Sequence, residues 1–209
     1  METFIAPYQL NLDVSTFAEI QSIHHQKRFL GDMQNYFNDQ QSIQAILVNE
    51  NPLIYEYWEI QNDGSSMISM SMTKIASGVV GDEFYMTKGH FHTLEEDGEE
   101  IYIVLQGQGY LLLQNRNSET QVLELIPNHL YYSPKGWAHR TVNRGEDELI
   151  FLTLWPNAVG HDYQSIERGG FPQLVVKGYP DPEIRQNPRY QSYQAIMESR
   201  DKNQLSAGM

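Results

Sequence analysis

The sequence predicts an all-β domain, an antiparallel sandwich or barrel, carrying polar extensions with some helix at both ends. Three observations predict it. Short runs rich in β-branched, aromatic and aliphatic residues recur from Leu53 onward, turn signals separate them, and the composition becomes polar again from about Tyr179. On this basis the chain divides into an N-terminal extension packed on the barrel (1–50), the barrel itself (51–178) and a C-terminal tail (179–209).

In the first part, Thr16 and Glu19 have the spacing of a helix capping box. The stretch Phe17 to Phe29 scatters apolar residues among His24, His25, Lys27 and Arg28. That spacing predicts some helix and leaves the two histidines on the solvated surface. The predicted strands are IYEYWEI (54–60), MISMSMTKI (67–75), EFYMT (83–87), EIYIVLQ (100–106), GYLLLQN (109–115), QVLELI (121–126) and ELIFLTLW (148–155). Between them stand Asn62-Asp63-Gly64, Gly78, Gly81-Asp82, Gly107-Gln108-Gly109, Pro127-Asn128, Pro134-Lys135-Gly136 and Arg144-Gly145-Glu146, residues that favour turns. The tail holds Pro180, Pro182 and Pro188 and predicts one late helix over Tyr193 to Lys202.

Composition narrows the function classes. Among 209 residues, 14 basic against 27 acidic side chains give a net charge of −13, which repels nucleic acid and anionic lipid. It also repels a phosphorylated ligand in bulk, so a phosphate site here must be assembled locally from N–H and hydroxyl donors. Absence of cysteine excludes disulfides, thiolate metal sites and cysteine nucleophiles. No apolar run reaches the length of a membrane span, and METFIAPYQLNLD lacks the basic-then-apolar pattern of a signal peptide, so a cytoplasmic location is expected.

Chemistry concentrates in two places. Gly89-His90-Phe91-His92 puts two imidazoles at i and i+2, which on a strand point to one face and can grip one ion. Glu100 opens the strand that ends at Gly107, and some forty residues on comes Pro134-Lys135-Gly136-Trp137-Ala138-His139-Arg140-Thr141-Val142-Asn143. Three imidazoles and a carboxylate suit a borderline divalent ion: one per subunit, Fe²⁺ first, with Mn²⁺, Ni²⁺ or Zn²⁺ as alternatives.

These segments resemble the two sequence motifs of the cupin superfamily, which implies a jelly-roll-like antiparallel β-barrel. His-x-His followed by a glutamate, six residues and a glycine fits His90, His92, Glu100 and Gly107; Pro134, Gly136, His139 and Asn143 match the second motif. The resemblance implies His90, His92, Glu100 and His139 as metal ligands. Glu100 has the interval to the glycine turn; Glu99 is the neighbouring alternative, with Glu95 to Asp97 behind it.

Within that superfamily, Val80 to His92, the widened loop before Glu100, Trp137 to Asn143 and Gly160-His161-Asp162-Tyr163 resemble cupin-type phosphoglucose isomerases, over about Ser71 to Val176. Arg28 to Met33 is similar as well. The resemblance implies a metal-dependent interconversion of glucose 6-phosphate and fructose 6-phosphate, by proton transfer or by a metal-assisted hydride shift. Glu100 and His161 would be catalytic. Thr73, Thr87 and Gly89 would hold the phosphate, and Tyr102 and Tyr163 would stand at the sugar and phosphate. Lys88 is expected to alternate away from Thr87 and Gly89. Two departures stand out: Trp155 replaces a frequent tyrosine, and the loop from His92 to Glu100 is one residue longer than usual. Mannose 6-phosphate is a further plausible substrate, and a homodimer the expected assembly. A cupin dioxygenase would use the same ligands but leave Thr73, Thr87, Gly89 and His161 to Tyr163 without a role. A non-catalytic sugar-binding cupin would not need the complete ligand set.

Overall fold

The computed structural model describes residues 12–13, 22–60 and 66–207. The pair Thr16 and Glu19 and the turn Asn62-Asp63-Gly64 lie outside the described residues. Along the chain run β1 (Ser22–Phe29), α1 (Gln40–Leu47), β2 (Leu53–Ile60), β3 (Ile68–Ile75), β4 (Val79–Val80), β5 (Glu83–Phe84), β6 (Phe91–His92), β7 (Glu100–Gln106), β8 (Gly109–Asn115), β9 (Thr120–Leu125), β10 (Leu130–Ser133), β11 (Trp137–Asn143), β12 (Leu149–Pro156), β13 (His161–Asp162), α2 (Tyr163–Gly169), β14 (Gln173–Val176), β15 (Glu183–Gln186) and α3 (Tyr193–Ala207). Among the described residues no helix is long and apolar enough to cross a membrane.

The all-β class expected of a cupin is what forms. A six-stranded sheet runs β1-β2-β3-β12-β7-β10, and a three-stranded one β11-β8-β9. Two smaller sheets, β13-β6 and β15-β14-β5-β4, complete the set. All pairings are antiparallel. These ladders do not join into one closed barrel.

Where the expectation differed, pairing overrode local preference. Residues 22–29, in a stretch expected to include helix, form β1 instead: it pairs along β2, with Lys27 opposite Glu56 and His25 opposite Trp58. Ladder partners for every second backbone group outweigh a weak helical spacing. The helix of this region comes later, at α1, where Asp39 caps by accepting from the Ser42 amide at 2.9 Å. His25 is exposed as expected, though it stacks on Trp58 at 4.5 Å and bonds Glu56 at 2.9 Å. The run EFYMT contributes only β5 and a bridge from Met86 to Val142. Strands β10, β11, β14 and β15 were not among the predicted runs; β10 and β15 are four residues each, too short for alternation to register.

Alternation sorts the six-stranded sheet into two faces. One face carries Tyr55 and Ile75 with Val104 and Phe151 in the main core, beside Leu111 and Leu113 of β8 and Leu30, Met33 and Phe37 after β1. The other face carries a second apolar layer, Trp58, Ile60, Met72, Ile150 and Leu152, with Met70, Ile103, Leu105 and Leu154 packed on it.

Two residues of the recognised motifs act as structural locks. Gly107 turns β7 into β8 at φ +80°, and a Cβ there would sit 2.4 Å from the Glu148 carbonyl. Asn143, fully buried, donates through Nδ2 to the carbonyls of Ile75, Ala76 and Asp147 at 2.9–3.1 Å and accepts from the Gly145 amide at 2.9 Å. It ties β11 to the end of β3 and to the turn before β12. Replacing it by alanine leaves buried backbone groups unpaired, which costs about 1–3 kcal/mol for each one that water cannot reach. Asn143→Ala is therefore expected to lower stability by more than about 2 kcal/mol in denaturant unfolding. An unchanged midpoint would show that the turn holds without it.

Candidate active site

The ligand set is assembled from three sheets. His90 and His139 face each other in an antiparallel bridge, His90 N–H donating to the His139 carbonyl at 3.3 Å and His139 N–H to that of His90 at 3.1 Å. Gly89 makes this approach possible: its φ is +69°, and a Cβ would lie 2.8 Å from the His139 carbonyl oxygen and 2.9 Å from Arg140 Cβ. His92 follows on β6, and Glu100 arrives from the start of β7 in the large sheet.

The four ligand atoms lie within 4.8 Å of one another. His90 Nε2 is 3.1 Å from His139 Nε2, and Glu100 Oε2 is 3.0 Å from His139 Nε2 and 3.5 Å from His92 Nε2. His92 Nε2 and Glu100 Oε2 are buried and make no hydrogen bond. Buried polar atoms without partners are costly, and here they converge on a common point, so the residues fit a divalent ion. The other ring nitrogens are engaged outward. His92 Nδ1 donates to the Gly98 carbonyl at 2.6 Å, and His139 Nδ1 lies 3.3 Å from Ser133 Oγ. Such contacts fix the tautomer that leaves Nε2 free.

Protonation follows the same logic. Burial, then repulsion from His139 and His161, holds His90 well below its ordinary value. Burial alone would raise Glu100, but His139 and the other imidazoles outweigh it and hold the carboxyl well below the usual range. A neutral His90 and an ionised Glu100 are the forms that bind a cation. The alternative carboxylates are placed elsewhere. Glu95, Glu96 and Glu99 are exposed, and Asp97 anchors the widened loop by accepting from Arg116 at 3.1 Å and from the Gly136 amide at 3.2 Å.

Beside the cluster opens a cavity of about 140 Å³. Thr73, Thr87, Gly89, Tyr102, His161 and Tyr163 all line it, together with His90, Glu100 and His139, whereas His92 sits behind them. The Thr87 hydroxyl accepts from the Thr141 amide at 3.1 Å, which leaves its own proton free to donate. His161 pairs with His92 between β13 and β6, and its ring stands 4.5 Å from that of His90. His161 is exposed to solvent on one side, but the protein crowded against its ring, with His92 and His139 nearby, brings it down to about 4, so it is neutral at physiological pH. Burial and the adjacent Glu100 push the Tyr102 phenol well up.

Lys88 also lines the cavity. The expected alternation does not apply because Thr87 to Gly89 is not strand. Beneath this segment Arg140 is fully buried, donates to the Lys88 carbonyl at 2.8 and 3.2 Å, and packs over Phe171 at 4.7 Å. Other lining residues were not anticipated as site residues: Tyr55, Tyr57 and Glu59 on β2, Ser71 on β3, Thr141 on β11, and Phe151 and Thr153 on β12, whereas Trp155, noted above as a departure, lines the cavity too. Each stands at even spacing from another lining residue of its strand, and that parity was the signal available.

The chain matches a family model described as glucose-6-phosphate isomerase (GPI) over residues 26–191. It is 37% identical over 166 residues to a glucose-6-phosphate isomerase of Pyrococcus abyssi, covering 79% of this chain and 87% of that protein. The one from Thermococcus litoralis is 36% identical over 185 residues, covering 88% and 96%. A third, from Sinorhizobium medicae, is 34% identical over 148 residues, covering 70% and 68%. Among solved structures, a Lactobacillus farciminis oxalate decarboxylase formate complex superposes with a TM-score of 0.44 at 22% identity, over 52% of this chain and 30% of that one.

His139 tests the cluster directly, since it contacts both His90 and Glu100. His139→Ala is expected to abolish stoichiometric binding of Mn²⁺ in calorimetric titration while the far-UV circular dichroism stays that of the parent. Unchanged stoichiometry would place the ion elsewhere.

Proposed function

The chain belongs to the glucose-6-phosphate isomerase family, and from that premise we propose how its cavity carries the reaction. Open-chain glucose 6-phosphate or fructose 6-phosphate lies with C1 and C2 at the cluster of His90, His92, Glu100 and His139, and with its phosphate at Thr73, Thr87 and Gly89. One observation carries this reading. A cation-binding cluster, an ionised carboxylate and a set of neutral hydroxyl and N–H donors line the same small cavity. A dioxygenase would have no use for the donors.

A divalent ion held by the three imidazoles and Glu100 would supply Lewis acidity toward the oxygens on C1 and C2. The protein's own groups do the rest. Glu100 takes the proton from C2 of the aldose and returns it to C1, while a proton passes from O2 to O1, and the sequence reverses for the ketose. Neutral His161, at the open side, hydrogen-bonds the same end of the sugar, and Tyr102 and Tyr163 flank the chain. The phosphate is held by uncharged donors, with Lys88 as the nearby cation. In a protein of net charge −13 this local construction keeps an anion bound against the global field. A direct hydride shift from C2 to C1 would use the same residues and differ in leaving solvent hydrogen out of the product.

A coupled assay of fructose 6-phosphate conversion tests the reading. Activity is expected to vanish after strong chelation and to return with Fe²⁺, Mn²⁺ or Ni²⁺; full activity in metal-free protein would sink it. Glu100→Gln is expected to lower turnover at least about a hundredfold, the lower end of general-base contributions. In deuterated water the parent should place deuterium on the product carbon, and its absence at full turnover would assign the hydride shift.

The phosphate end is tested separately. Thr73→Val and Thr87→Val keep size and strand preference but each remove a hydroxyl from a charged partner, worth about 1.5–3 kcal/mol. Each change should raise KM for fructose 6-phosphate by about tenfold or more, with kcat and metal content little altered. A double variant with the parent's KM would show that the phosphate binds elsewhere.

A further inference from the structure

We infer that Ser71 and Thr153 form a hydroxyl pair that reads the middle of the substrate's carbon chain, at C3 and C4, and so sets which hexose 6-phosphate is accepted; this rests on the phosphosugar reading above. Neither residue is needed for the cluster or for the phosphate donors. Their position follows from register. Thr73 pairs with Phe151 and Phe151 with Val104; one same-face step along, Ser71 pairs with Thr153 and Thr153 with Tyr102. A further step brings Ser69 opposite Trp155, and Leu154 opposite Ile101 places Glu100 beside Trp155. Each step is about 6.8 Å. The pair therefore occupies the row between the proposed phosphate donor Thr73 and the proposed ligand Glu100.

Both side chains are buried, Ser71 at 7% and Thr153 at 4% exposure, yet both line the cavity. Their hydroxyls are 2.9 Å apart, so one donates to the other. That bond uses one of two protons. The second proton and the remaining lone pairs have only the cavity to face. On the opposite face of the same strands, Met70, Met72, Ile150, Leu152 and Leu154 form an apolar layer, with Lys74 beyond it paired to Glu56 and Glu148. A buried row that keeps two hydroxyls where aliphatic groups would pack equally well is suited to a polyol, offering one donor and several acceptors to adjacent hydroxyls. A site that hydrogen-bonds a substrate hydroxyl rejects the analogue that presents it wrongly, because the site's own groups are then left unpaired.

The test uses metal-loaded protein and three sugars: glucose 6-phosphate, its C3 epimer allose 6-phosphate and its C4 epimer galactose 6-phosphate. The parent is first assayed with fructose 6-phosphate; no turnover there overturns the phosphosugar reading and this inference with it. With an active parent, Thr153→Val and Ser71→Ala are each expected to lower kcat/KM for glucose 6-phosphate by roughly tenfold. They should lower it far less for the epimers, so that the parent's preference narrows toward unity. Thr153→Ser keeps the hydroxyl and should keep the preference. Inhibition by inorganic phosphate, which probes the other end, should stay within about twofold, and metal content should be that of the parent. If both removals depress all three sugars by the same factor, or leave glucose 6-phosphate unaffected, the pair only packs and the inference fails while the function stands.

Discussion

Two main-chain hydrogen bonds between His90 and His139 bring together what the sequence keeps nearly fifty positions apart. The bridge exists because Gly89 has no side chain to strike the His139 carbonyl. From it the rest follows. His92 takes its place two residues further on, in β6, Glu100 approaches from the large sheet, and the widened loop between them is pinned by Asp97 to Arg116 and Gly136. A ligand set drawn from separate ladders is held by backbone geometry, which is stiffer than any side-chain contact.

Charge is handled by placement. The protein carries a large net negative charge, yet the polar groups of the cavity are hydroxyls, phenols, imidazoles, one lysine and the carboxylates of Glu59 and Glu100. Arg140 is not among the cavity's walls; it lies fully buried beneath the Thr87 to Gly89 segment and spends its guanidinium on the Lys88 carbonyl and the Phe171 ring. Its cost of burial is offset only in part by those contacts and by the nearby Glu83, since burial still brings the guanidinium down to about 10. The segment that is proposed to meet the phosphate thus rests on a charged but rigid floor.

Much of this was legible in the sequence, and for physical reasons. Strands β7 and β8 coincide with the predicted runs because alternation and a glycine turn mark them on both sides. His90, His92, Glu100 and His139 were named as a set, and the structure brings their side-chain donor atoms within 4.8 Å of one another. What was missed was nonlocal. Residues 22–29 became β1 only because β2 offers a partner, and nothing within those residues announces it. Lys88 was placed outward on the assumption of a strand that does not form there. Ser71 and Thr153 gain their place in the cavity from register across three strands, which a linear reading does not contain.

The two faces of the large sheet carry a consequence for how this protein can change. Along β3 and β12, odd-numbered positions from 69 to 73 and from 151 to 155 look toward the cavity or the main core, and even-numbered ones build the second apolar layer. Parity therefore partitions mutational tolerance. A drift in ligand chemistry can proceed through the odd positions while the even ones conserve folding, and the two kinds of selection act on adjacent codons without interfering.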